Sequence, residues 1–257
     1  MHVQPFNLAS LLGAFCVYEI EWLAARYGVR RQELQKIRDL VRGPVPVRRG
    51  EVLYREGSAG QSIYAIASGS FKASAADAHG RETVMDLYFD GDFFGLEALG
   101  GDTYQGTLEA LESGSVFRLS VPALREALSD VPGLEKELMS LMSREVWRQE
   151  ERRLLIGQRD AGSRLASFLL YLSSREESRG RDPGSFRLQM RRQDIAAFLG
   201  LATETVSRLL KRFAQRRLIE VNSRSVRLRN PDAMSRMVGR KYLPAVALMF
   251  SFSSFFF

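Results

Sequence analysis

Between residues 44 and 121 the chain is cut into short β-like runs with no room for a helix between any two of them. The runs are Val45–Val47, Val52–Tyr54, Ser62–Ala67, Ser70–Ser74, Thr83–Tyr88, Thr107–Glu112 and Ser115–Leu119. Glycine-containing pairs separate them: Arg49-Gly50, Glu56-Gly57, Ser68-Gly69, His79-Gly80, Asp90-Gly91 and Ser113-Gly114. A parallel α/β sheet needs a crossover of a dozen or more residues, usually helical, between neighbouring strands. Short strands joined by tight turns form antiparallel sandwiches or rolls instead.

Helical patterns flank this segment. Trp22, Leu23, Leu34, Ile37, Leu40 and Val41 give partial helical periodicity over residues 1–43, interrupted by Gly28. Pro122 suits the first turn of a short helix over Ala123–Leu128. Leu134, Leu138, Leu141, Glu145, Arg148, Arg152 and Leu155 then recur in steps of three and four, close to a heptad, and Met142 and Trp147 widen the stripe. This long helix has two readings: a dimer seam made by Leu134, Leu138, Leu141, Met142 and Leu155, which the pattern favours, or packing along its own β-domain. Gly157-Gln-Arg-Asp160 reads as a hinge, Arg164–Ser174 as an amphipathic helix, residues 176–185 as a polar loop, and Phe186–Met190 as a strand.

Charge divides the chain. The full 257 residues carry 37 Lys plus Arg and 30 Asp plus Glu, a net +7. Residues 1–160 hold 19 basic and 23 acidic side chains, whereas residues 161–257 hold 18 and 7, so the C-terminal part alone is basic. Such asymmetry points to a polyanion-binding part joined to a regulatory or assembly part. One Cys and two His rule out a Cys-rich metal site built by one chain, and a cupin-type enzyme would need clustered His ligands inside the barrel. No enzyme activity is expected. No apolar run reaches 18 residues and no signal-peptide pattern opens the chain, so neither membrane insertion nor secretion is predicted and the expected location is cytoplasmic.

Residues 191–217 carry the most specific signal. Gln193–Leu199 reads as a short helix ended by Gly200, where a left-handed residue is least costly. Thr203 is a suitable N-cap for a second helix whose inner face is Val206, Leu209, Leu210 and Phe213. Two short helices about a glycine turn form a helix-turn-helix, whose second helix enters the major groove of DNA. On that helix Glu204 can accept from cytosine, Arg208 can pair with guanine, and Ser207 can touch a base edge or phosphate. Thr203, Lys211, Arg212, Arg216 and Arg217 are candidate backbone contacts. Leu218–Val221 and Ser225–Leu228 read as a hairpin, or wing, that presents Arg224 to the flanking phosphates. A bland surface helix with an i,i+4 pair Glu204–Arg208 is the competing reading.

With these residues in view, the chain resembles the Crp/Fnr superfamily of bacterial transcription regulators from about residue 15 to residue 237, closer to the Fnr branch than to the cyclic-AMP receptor branch. The resemblance rests on Leu199-Gly-Leu-Ala-Thr-Glu-Thr-Val-Ser-Arg-Leu-Leu-Lys-Arg-Phe213, with Glu204, Ser207 and Arg208 matching the family's reading motif. It also rests on Gly50–Gly57, Ile63–Lys72 and Arg164–Ser173. It implies an α+β fold: an N-terminal helical region (1–43), a β-roll like a cyclic-nucleotide-binding jelly roll (44–130), a dimerisation helix (131–158), a winged helix-turn-helix (159–237) and an apolar tail (238–257). It further implies a homodimer, a palindrome of TTGAT-like half-sites in double-stranded DNA, and contact with RNA polymerase through Phe71–Glu82 and Leu111–Arg118. Activation and repression are both open.

The departures from the family matter for cofactors. Fnr-type oxygen sensing uses three N-terminal Cys and one in the β-roll. Here only Cys16 matches, with Asn7, Ser10 and Phe117 at the other positions, so no [4Fe–4S] cluster is expected. Cys16 is the one candidate redox thiol, and an inert buried thiol is its other reading. Gly95-Leu-Glu97 partly matches the cyclic-nucleotide pocket, but Tyr104-Gln-Gly-Thr107 offers no Arg for the phosphate, so cAMP is not expected. Haem is not predicted either; His79 is left open as an axial ligand. A small-molecule-binding β-roll with only loose nucleic-acid binding is the alternative function. The tail from Tyr242 holds five Phe and no charge, and no role is assigned to it.

Overall fold

The computed structural model describes residues 40–76, 79, 82–130 and 134–239. Cys16, Asn7, Ser10, His2, the N-terminal helical expectation and the apolar tail from residue 240 lie outside them. The chain divides into two compact units, with the boundary between Val146 and Trp147 inside one helix.

The first unit is a β-roll of two four-stranded antiparallel sheets. One has the order β1 (Val41–Val47), β8 (Gly114–Ser120), β3 (Ser62–Ser68), β6 (Phe93–Phe94). The other has the order β2 (Val52–Tyr54), β7 (Thr107–Ala110), β4 (Ser70–Ala76), β5 (Glu82–Phe89). Strand alternation sends Phe71, Leu108, Ile63 and Val116 into one shared core. Aromatic rings dominate that core. Tyr54 stacks on Tyr104 at 3.8 Å between centroids, and Phe94 meets Tyr64 at 5.1 Å and Phe71 at 5.7 Å. The two-residue strand Phe93–Phe94 was too short to show in the sequence.

Helix α1 (Val121–Asp130) closes the roll, with Val121, Leu124 and Ala127 inward. Helix α2 (Leu134–Ile156) is the long helix. The stripe predicted to pair two chains turns largely inward: Leu141 is buried in the β-roll core, and Leu134, Leu138 and Met142 pack against it. Leu155 is buried as well. The small sandwich uses Leu141, with the half-buried Leu134, Leu138 and Met142, to close its own core. The apolar residues that α2 leaves exposed are Met139 (58%), Val146 (62%), Trp147 (44%) and Leu154 (46%).

The second unit begins with the last part of α2. Helix α3 (Ala161–Ser178) runs four residues beyond the expected Ser174, through part of the segment read as loop. Leu165, Phe168 and Leu169 are fully buried on its inner face. Strand β9 (Ser185–Arg187) is shorter than the expected Phe186–Met190. It pairs with β11 (Ser225–Leu228), which pairs with β10 (Ile219–Asn222). Helix α4 (Arg192–Leu199) and helix α5 (Thr203–Gln215) lie between them in sequence, and α6 (Pro231–Val238) follows.

Candidate nucleic-acid interface

Helix α4 is started by a side chain: the Asp194 carboxylate accepts from the backbone N–H of Arg191 at 2.9 Å. It ends at Gly200, whose backbone (φ 63, ψ 43) is left-handed. The N–H of Leu201 then returns to the carbonyl of Ala196 at 2.9 Å, which closes the helix end. A side chain at Gly200 would be strained in this conformation, so the turn angle is set by glycine.

Helix α5 departs from expectation in one detail. Ala202, not Thr203, is the capping residue, and Thr203 opens the helix. Ala202 has no side-chain oxygen to accept from the first turn, and its carbonyl accepts from the backbone N–H of Thr205 at 3.0 Å and of Val206 at 3.1 Å. Val206 and Phe213 are fully buried, Leu209 and Leu210 nearly so, and together they fix the helix rotation. At about 100° per residue, Glu204, Ser207 and Arg208 fall on the opposite side. Glu204, Arg208, Lys211 and Arg212 are exposed and Ser207 is half-buried.

Two contacts organise this face. Arg208 Nη2 donates to Thr205 Oγ1 at 3.3 Å, and Arg192 Nη1 donates to Ser207 Oγ at 3.3 Å. Arg192 was not singled out from the sequence; its position at the start of α4 becomes meaningful only once the turn folds it toward α5. Arg216 follows the helix as its C-cap, and Arg217 adopts a left-handed φ of 55°. Both are exposed. Arg224 sits in the wing turn, half-buried, with its carbonyl accepting from Leu188 N at 2.7 Å. The wing strands pair in register, with Glu220 opposite Arg227 and Asn222 opposite Ser225.

The hinge precedes α3. The Asp160 carboxylate accepts from the Ser163 backbone N–H at 3.0 Å, and its other oxygen lies 2.6 Å from Ser163 Oγ. These bonds, with a smaller contribution from Arg212, hold the Asp160 carboxyl below the usual carboxylate range.

In the β-roll, Phe117 is a buried core side chain on β8 and offers no ligand atom. Tyr104 donates through its hydroxyl to the Ser62 carbonyl at 2.7 Å, and burial pushes its own ionisation up to about 12. Burial also raises the Glu97 carboxyl, opposed by hydrogen bonds from the backbone of Glu97 and Gln105 and reinforced weakly by Glu145. The segment Tyr104–Thr107, which carries no Arg for a phosphate, thus places a tyrosine stacked into the core. His79 lies in an exposed turn. Among the described residues, no group of three or more His, Cys, Asp or Glu is placed to hold a metal ion. Among them also, no helix is long and apolar enough to cross a membrane.

A β-roll followed by a long helix and a winged helix-turn-helix, whose second helix exposes Arg208 and Arg212, is the architecture of a DNA-binding regulator. Residues 163–237 match the Crp-like helix-turn-helix domain and residues 44–130 match the cyclic nucleotide-binding domain. The fumarate and nitrate reduction regulatory protein of Escherichia coli (strain K12) is 32% identical over 220 residues, covering 86% of this chain and 88% of that protein. The chain belongs to the Crp/Fnr superfamily of transcription regulators, which are not enzymes. Its fold is also that of FixK2 from Bradyrhizobium japonicum (27% identity, TM-score 0.68, 75% of this chain and 95% of that one). A double mutant of CooA from Carboxydothermus hydrogenoformans shares the fold at 16% identity, TM-score 0.62, over 93% of this chain and 98% of that one. With one Cys in the whole sequence, a single chain lacks the thiolate set of a [4Fe–4S] cluster.

Proposed function

We propose that the protein is a sequence-specific regulator that binds, as a homodimer, a palindrome of TTGAT-like half-sites. The observation that carries this reading is the reading helix itself. Its inner face is locked by Val206, Leu209, Leu210 and Phe213, and that holds Glu204, Ser207 and Arg208 outward together. A rigid presentation of this kind is what base discrimination requires. Arg208 pairs with the half-site guanine and Glu204 accepts from a cytosine amino group. Thr203, Lys211, Arg212, Arg216, Arg217 and Arg224 meet phosphates.

The dimer seam follows the exposed stripe of α2. Met139 and Val146 are seven residues apart, as are Trp147 and Leu154, which is the heptad spacing of a two-helix seam. Of the residues expected at the seam, Leu141 and Leu155 are buried within the chain, whereas Leu134, Leu138 and Met142 are half-buried and border this stripe. A second copy of α2 is the natural cover for a stripe this apolar on a helix otherwise rich in charge.

No [4Fe–4S] cluster, cAMP or haem takes part in this reading. RNA polymerase contact falls to the exposed parts of Phe71–Glu82 and Leu111–Arg118, among them Ala76, Glu82, Ser113 and Arg118. Work on chromosomal DNA places the protein in the cytoplasm.

The test is a pair of titrations at physiological salt, one with a TTGAT palindrome and one with a scrambled duplex. The reading predicts that the palindrome binds about 10³-fold tighter or more. Equal affinities would favour a β-roll protein that holds nucleic acid only loosely.

A further inference from the structure

The C-terminal end of α4, immediately before the turn, is gripped by two arginines, neither of them on α5. From the end of α2, the Arg152 guanidinium stands 5.2 Å from the centre of the Phe198 ring. From the first turn of α3, Arg164 Nε donates to the carbonyl of Gln158 at 3.1 Å, and its Nη1 donates to the carbonyl of Leu199 at 3.2 Å. Gln158 belongs to the hinge, and Leu199 is the last residue before the turn glycine. Arg164 Nη1 also comes within 3.8 Å of the space a side chain on Gly200 would enter. Phe198 in turn meets Phe168 of α3 at 5.6 Å.

A planar guanidinium with two fixed donors can hold two carbonyls at a set separation, which a lysine ammonium on a flexible stem cannot. The Leu199 carbonyl is one of the last four of α4, without a partner inside the helix, and Arg164 supplies the donor. The hinge and the helix-turn-helix are thereby tied through one side chain, while Arg152 ties the same helix end to α2.

We propose that Arg164, supported by Arg152, is a positioning residue that sets the orientation of the reading helix relative to α2, so that a dimer accepts one half-site spacing. This rests on the dimeric reading above. Neither arginine touches DNA in this account. Loosening the pair lets each reading head swing, and a second spacing becomes tolerable.

The experiment compares two operators, the palindrome and the same palindrome with one base pair inserted at its centre. The insertion moves one half-site by about 3.4 Å and turns it by about 35°. The wild-type full chain prefers the parent spacing. Arg164→Ala is expected to shrink that preference about fivefold with the salt slope unchanged. Arg152→Met should act in the same direction. If Arg164→Ala does not fold, Arg164→Lys keeps the charge but cannot meet both carbonyls, and the same loss of preference is expected from it. Affinity that falls equally on both operators would reduce Arg164 to a helix-end donor and overturn the proposal. A salt slope reduced by about one per chain would make it a phosphate contact and overturn it too. A wild-type protein that fails to distinguish the parent palindrome from scrambled DNA would remove the dimeric reading, and this proposal with it.

Discussion

Arg192 and Ser207, fifteen residues apart, meet across the turn with Nη1 3.3 Å from Oγ. The contact orients the Ser207 hydroxyl, on the face of α5 proposed to read bases, from outside that helix. It predicts that the two residues act together on operator binding. In a double-mutant cycle, Arg192→Ala and Ser207→Ala should show a coupling of about 0.5–1.5 kcal/mol. Strictly additive losses would mean that the bond has no part in recognition.

Lys211 lies on the exposed side of α5, one turn beyond Ser207. As a phosphate contact it should act without regard to sequence. Lys211→Ala is expected to weaken the palindrome and scrambled DNA by the same factor and to reduce the slope of log K against log salt by about one per chain. Titrations at several salt concentrations check this. A loss confined to the palindrome would make Lys211 a base contact.

In the proposed dimer, the two sides of α2 would separate assembly from folding. Met139→Glu with Val146→Glu should yield folded monomers in sedimentation, since both side chains are exposed. Leu141→Ala should instead leave the dimer and lower stability by about 2–5 kcal/mol, because it opens a cavity in the β-roll core. Dimers that survive the first pair of changes would place the seam elsewhere.

Glu97 gives a pH prediction. Its folded carboxyl is raised above the ordinary value of 4.5, chiefly by burial. The stability contributed by its neutral form is therefore complete below that value and lost as pH rises through the folded one. Glu97→Gln is neutral throughout, so it should raise Tm at neutral pH, and the gain should shrink on acidification toward about pH 4. Thermal unfolding of both proteins across this range is the check. A gain that does not change with pH would mean that ionisation of Glu97 carries no penalty.

Local patterns in the sequence carried much of the architecture. Glycine-punctuated runs located seven of the eight β-roll strands, and a glycine between two amphipathic stretches located the turn of the reading head. What remained hidden depends on tertiary contact. The heptad pattern puts Leu141 in the stripe and leaves Met139 out, but it cannot say that the β-roll covers Leu141 while Met139 stays exposed. Thr203 is a better cap by residue type than Ala202, yet the extended backbone at Ala202 (φ −75, ψ 146) makes that residue the cap. Arg164 and Arg192 are ordinary surface arginines in sequence; their partners lie 35 and 15 residues away.

The central claim is that the exposed face of α5 reads sequence, and Arg208 tests it most directly. Wild type and Arg208→Ala would each be titrated against the intact palindrome and against half-sites in which the guanine of TTGAT is replaced. Wild type should lose about 1–3 kcal/mol for each replaced guanine, and Arg208→Ala should bind the intact and replaced sites alike. If Arg208→Ala instead weakened every site by one common factor and kept the guanine preference, Arg208 would be a phosphate contact and the assignment of the reading face would be wrong.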